Sequence, residues 1–128
     1  MAELKRSSGI LDIKCEIGAT LDFTATYNEK DSGNLINLTG YTAKMQVRDK
    51  KPDSEAILTL TSDAGGGITL GGALGTLKIH IKSTQTAALP VGDYYYDLVL
   101  SVFNSQLNET VVKKSLRGIF SVIQGVTR

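Results

Sequence analysis

Hydrophobic and polar positions alternate with a period of two along most of this chain. In "ILDIKCEIG", Leu11, Ile13, Cys15 and Ile17 alternate with Asp12, Lys14 and Glu16; in "TLDFTATYN", Leu21, Phe23, Ala25 and Tyr27 alternate with Asp22, Thr24 and Thr26. "YTAKMQVRD" sets Ala43, Met45 and Val47 against Lys44, Gln46 and Arg48, and "GTLKIHIKS" sets Leu77, Ile79 and Ile81 against Lys78, His80 and Lys82. "AILTLTS" behaves alike. Residues two apart share one face of a strand, so each segment predicts a strand with one buried and one wet face.

Turn signals separate these runs. "NEKDSGN" joins the second and third, and "RDKKPDSE" follows the third, where Pro52 has no N–H to give a ladder. "SDAGGG" and "LGGALG" flank a short strand, Ile68 to Leu70. These glycines do not make a phosphate loop, which needs a Lys-Ser/Thr pair and a following helix; glycine here supplies positive φ to tight turns. "STQTAALPVG" predicts one short helical turn near 83–89, with Ser83 or Thr84 as N-cap and a stop before Pro90. Seven or eight short strands at hairpin spacing, with almost no helix, predict a single all-β antiparallel sandwich. The predicted boundaries are a flexible N-terminal arm over 1–9, the sandwich over 10–124 and a C-terminal tail over 125–128.

The stretch "ALPVGDYYYDLVLSV" concentrates aromatic groups beside a turn in a chain that is only 6% aromatic. Its phase places Tyr94, Tyr96, Leu98, Leu100 and Val102 on one face and Tyr95, Asp97, Val99 and Ser101 on the other. Tyr94, two residues past Gly92, fits a tyrosine corner, in which the ring packs in the core and the hydroxyl bonds nearby backbone. In "SLRGIFSVIQG", Gly118, Phe120 and Val122 follow the core, so Ile119 and Ile123 point outward. If the two strands are neighbours, Tyr95, Val99, Ile119 and Ile123 form an outer apolar patch. Such a patch marks an interface, or it is covered by a loop or by the N-terminal segment.

Composition narrows the function classes. With 128 residues the chain makes one domain large enough for a real core. Its 14 basic and 13 acidic residues give a net charge of +1, which argues against nucleic acid or an anionic membrane as the main partner. Cys15 is the only cysteine, so no intrachain disulfide forms, and its apolar surroundings make it a buried packing group. "MAELKRSSG" lacks the apolar core of a signal peptide, and no run is long enough to span a bilayer, so synthesis in a reducing cytoplasm is expected.

Catalytic patterns are missing. His80, the single histidine, sits outward between Lys78 and Lys82 as a solvated residue. There is no Gly-x-Ser-x-Gly elbow and no set of soft ligands for zinc. The acids Asp12, Glu16, Asp22, Asp49, Asp53 and Asp97 scatter over wet faces and loops. No enzyme, metal or cofactor is expected.

The second half of the chain resembles a family of small bacteriophage virion proteins. The pattern is "GGITLGGALGTLKIHIKSTQTAALPVGDYYYDLVLS" followed by "LRGIFSVIQGVTR", with "INLTGYTAKMQVRD" as an earlier strand entry, so that the resemblance covers 34–128. In size and motif order the chain is similar to the tail collar proteins that carry long side fibres in T-five-like siphophages. That resemblance implies an immunoglobulin-like β-sandwich, a homo-oligomeric ring around the tail, contacts with tail-tube or tail-tip proteins and with a side tail fibre, and a place in the virion. The competing readings are another baseplate, neck or head-decoration adaptor, or a monomeric carbohydrate-binding module, which the absence of tryptophan disfavours.

Overall fold

A computed structural model describes residues 2–4, 9–27, 34, 36–49 and 55–124. The turn segments around Lys30 and Pro52, most of the predicted N-terminal arm and the C-terminal tail lie outside the described residues. Ten strands are described: β1 (Ala2–Leu4), β2 (Gly9–Ile10), β3 (Ile13–Glu16), β4 (Leu21–Tyr27), β5 (Thr42–Arg48), β6 (Ala56–Thr61), β7 (Ile68–Leu70), β8 (Thr76–Ile81), β9 (Gly92–Asn104) and β10 (Glu109–Ile123). A single α-helical turn, α1 (Ser83–Ala87), and a 3-10 turn at Gly72–Leu74 are the described helical pieces.

The strands form two sheets. One has the order β1-β4-β8-β7; the other has the order β2-β10-β9-β5-β6, with β3 also on β10. Their facing sides share one core. Tyr27, Leu77, Ile79 and Ile81 come from the first sheet, and Met45, Val47, Leu98, Phe120 and Val122 from the second. This is a β-sandwich, and its buried positions follow the period-two phase of the sequence. Each large apolar side chain so buried contributes roughly 1.5–3 kcal/mol, which makes the phase of every strand hard to shift.

The pairing is not antiparallel throughout. β1 runs parallel to β4, and β2 and β3 run parallel to β10. Alternation fixes which face is buried but carries no information on strand direction, so the sequence does not show this. Within the predicted arm, Ala2–Leu4 pairs along β4 and Gly9 pairs with Leu116.

β2 and β3 are two pieces because the chain bends inward between them. Leu11 N–H still donates to the Arg117 carbonyl at 2.9 Å, but the Leu11 carbonyl accepts the Tyr96 hydroxyl at 2.5 Å, and Asp12 Oδ1 accepts the Ile119 N–H at 3.0 Å. Gly118 lies directly beneath. A Cβ there would sit 2.3 Å from the Leu11 carbonyl oxygen. The glycine is therefore required by close approach of two backbones and not by its φ.

The helical turn is capped one residue earlier than expected. Lys82, still extended at φ −67° and ψ 150°, holds the N-cap position in place of Ser83 or Thr84, and its N–H donates to Gln85 Oε1 at 2.9 Å. Strand β8 runs straight into the turn, which leaves no spare residue for a serine cap. Thr86 then pins the turn to the β3–β4 connection. Its buried hydroxyl accepts from Gly18 N–H at 3.1 Å and faces the Ala19 and Ser83 carbonyls at 2.9 and 3.0 Å.

Candidate interaction surface

The three consecutive tyrosines of β9 have three different environments. Tyr96 is the buried one, 4% exposed, packed edge-on against Phe120 with ring centroids 6.5 Å apart. Burial, followed by the charge of Asp12 and the proximity of Tyr27, pushes its hydroxyl well above the ordinary tyrosine value. Tyr94 is half-buried against the core edge, and its hydroxyl donates to the Pro90 carbonyl at 3.0 Å. Tyr95 lies on the opposite face and is 49% exposed.

On that outer face, strand register decides what meets what. Tyr95 is directly opposite Ile119 on one side and Arg48 on the other. Ile123 lies four residues further along β10, opposite Glu16 of β3. Val99 is separated from Tyr95 by the row Gln46, Asp97 and Arg117, and is itself opposite Lys44 and Lys114. The structure thus brings Tyr95 and Ile119 together, with Ile123 near the same end, and sets Val99 apart across a polar row.

Val99 instead belongs to a second apolar group. β9 and β10 continue as a two-stranded ribbon past the last β5 pair, Thr42 with Ser101. On the outer phase of this ribbon Phe103 follows Val99, and Val112 stands opposite Ser101; Phe103, Val112 and the turn residue Leu107 are each 60% exposed. Phe103 was legible from the outer phase of Tyr95, Val99 and Ser101 carried one step further along the strand. Val112 was not, because a register shift between Lys114 and Leu116 inverts the phase of β10 below it. The Asn104 side chain accepts from the N–H groups of Gln106 and Leu107 at 2.9 and 3.1 Å and closes the turn.

On the other sheet, the described outward residues of β4 and β8, Asp22, Thr24, Thr26, Lys78 and His80, are polar. His80 is exposed, as its phase implies, but it is not isolated: its Nδ1 meets Asp22 Oδ1 directly across the β4–β8 pair. Of the scattered acids, Asp22 and Asp12 are thereby given specific partners. Cys15 is buried, and burial, with Glu16 adding to it, raises its thiol above the ordinary value. No cluster of three metal-ligating side chains and no helix long and apolar enough to cross a membrane occurs among the described residues.

No protein-family model matches the chain, and no curated protein sequence does. Among solved structures it is similar to the N-terminal domain of phage TP901-1 ORF48, with a TM-score of 0.51 and 13% identity over 94% of this chain and 92% of that one. At that identity the likeness is one of fold.

Proposed function

We propose that this protein is a non-enzymatic structural component of a tailed-phage virion, and within that class a ring-forming tail collar that anchors side fibres. The observation that carries the reading is the likeness of the whole sandwich, end to end, to a domain of a phage protein. The sequence pattern over 34–128 and the outer face of β9 and β10 support it. Two apolar groups, Tyr95 with Ile119 and Phe103 with Val112, flank a polar row. Apolar groups cover while a polar row sets register, which suits a specific protein contact. In the ring, this face packs on the neighbouring copy or on the tail, and the fibre attaches outside. Copies are made in the host cytoplasm and end in the virion.

Native mass measurement tests the reading. The protein, alone or with its tail partners, is expected to form multiples of the 13.7 kDa chain. Tyr95→Asp and Phe103→Asp are expected to lower assembly while circular dichroism stays unchanged, since both side chains are exposed in the isolated domain. A wild-type protein that stays monomeric with every tail component removes the collar reading, and unimpaired assembly of both variants removes this face as the interface.

A further inference from the structure

An open cleft of about 650 Å³ lies away from the β9–β10 face, where the edge of β7 and β8 meets the ends of β5 and β6. Its size falls within the range of small-molecule sites. The sequence "SDAGGG" builds one wall. Asp63 carbonyl accepts from Gly66 N–H at 2.8 Å, Gly66 carbonyl from Thr61 N–H at 2.9 Å, and Gly67 carbonyl from His80 N–H at 2.8 Å. The turn is pressed so tightly onto its neighbours that a Cβ at Gly66 would fall 2.2 Å from Thr61 Oγ1, and one at Gly67 2.8 Å from the His80 carbonyl. Close approach at Gly66 and Gly67 fixes the turn, and Gly65 and Gly67 present bare backbone to the cleft.

The polar groups around it are half-committed in a consistent way. Gln85 uses Oε1 to accept the Lys82 N–H, which leaves its amide NH2 to donate. Ser62 uses Oγ to accept the Ala43 N–H at 2.9 Å, which leaves its hydroxyl proton. His80 uses Nδ1 on Asp22, which leaves Nε2. Lys82 adds a cationic donor and Asp63 an anionic acceptor, while the half-buried Tyr41 and Leu70 supply apolar surface. An anionic ligand would be repelled by Asp63, and a cationic one by Lys82. A ligand whose hydroxyls both donate and accept, with apolar C–H faces between them, meets every group.

We propose that this cleft binds a neutral saccharide of one or two sugar units. The site is independent of the assembly face, so a virion component carrying it would also touch glycan. The test is a titration of the isotope-labelled full-length protein, followed by amide resonances, with a panel of neutral hexoses, N-acetylhexosamines and deoxyhexoses, and with inorganic phosphate. At least one sugar is expected to shift the amides of Gly65, Gly67, His80 and Gln85 in a saturable way, and phosphate is not. Gln85→Glu keeps the acceptor for Lys82 N–H but loses the donor, so it is expected to weaken that sugar about tenfold with the fold intact. His80→Ala is expected to weaken it as well. Saturable shifts with phosphate but no sugar, shifts confined to other surfaces, no shift with any sugar, or undiminished binding by both variants would each overturn the proposal. None of these results bears on assembly.

Discussion

Replacing Gly118 by alanine tests the interior of the second sheet at its tightest point. The added Cβ meets backbone, with the Leu11 carbonyl oxygen at 2.3 Å and its carbon at 2.9 Å, as well as Asp12 Oδ1 at 2.9 Å. Ordinary contact begins near 3.4 Å, so the β2–β3 link has to move by about 1 Å. That displacement strains three hydrogen bonds at once, namely Leu11 N–H to Arg117, Tyr96 hydroxyl to Leu11 and Ile119 N–H to Asp12. At about 1 kcal/mol net for each, or with an overpacking strain of about 1–3 kcal/mol if the bonds hold, the expected loss is about 3 kcal/mol. The stiffer unfolded chain returns less than about 1 kcal/mol. In thermal and urea unfolding the melting point is expected to fall by roughly 10 °C. A Gly118→Ala protein as stable as the wild type would show that the inward bend at Leu11 is not fixed by this contact.

Four further outcomes follow from the same structure. Tyr96→Phe leaves the Leu11 carbonyl without its donor in a buried setting and is expected to lose about 1–3 kcal/mol, whereas Tyr94→Phe, at a half-exposed bond, is expected to lose under about 1 kcal/mol; paired urea curves compare them. Because the folded Tyr96 holds its proton above the unfolded value of 10.0, the unfolded chain ionises first, so stability is fully present below about pH 10 and falls as pH rises beyond it. Tyr96→Phe should lack that part of the slope in an alkaline denaturation series. Thr86→Val removes the pin between α1 and the β3–β4 turn, with an expected loss of about 1–3 kcal/mol by thermal unfolding. Cys15 should react with an aromatic disulfide reagent only as fast as the protein opens, and at the free-thiol rate in denaturant.

Much of the fold was legible because a sandwich core imposes period two on every strand. The phases of Ile13 and Cys15, of Ala43 to Val47 and of Leu77 to Ile81 all match buried positions. Direction and register were not legible, because they depend on what lies across the sheet. Hence the parallel pairing of the N-terminal strands and the phase change in β10 near Lys114 emerge only in three dimensions. The four residues read as one patch are each on the outer face, but the row through Asp97 and Arg117 divides them. His80 and Asp22 stand 58 positions apart, and only the β4–β8 register joins them. Gly118 carried no turn signal, since the contact that demands it comes from Leu11, far earlier in the chain, just as its neighbour Ile119 bonds Asp12, 107 positions away.

The central claim is a structural place in a phage virion. Its most direct measurement is antibody-gold electron microscopy, with mass spectrometry, of phage particles purified from cells whose DNA encodes the chain. The account predicts the protein in stoichiometric copies per particle, with gold in a band around the tail where side fibres leave it. Particles that are complete and infective without the protein, with all of it left in the soluble lysate, would contradict the account.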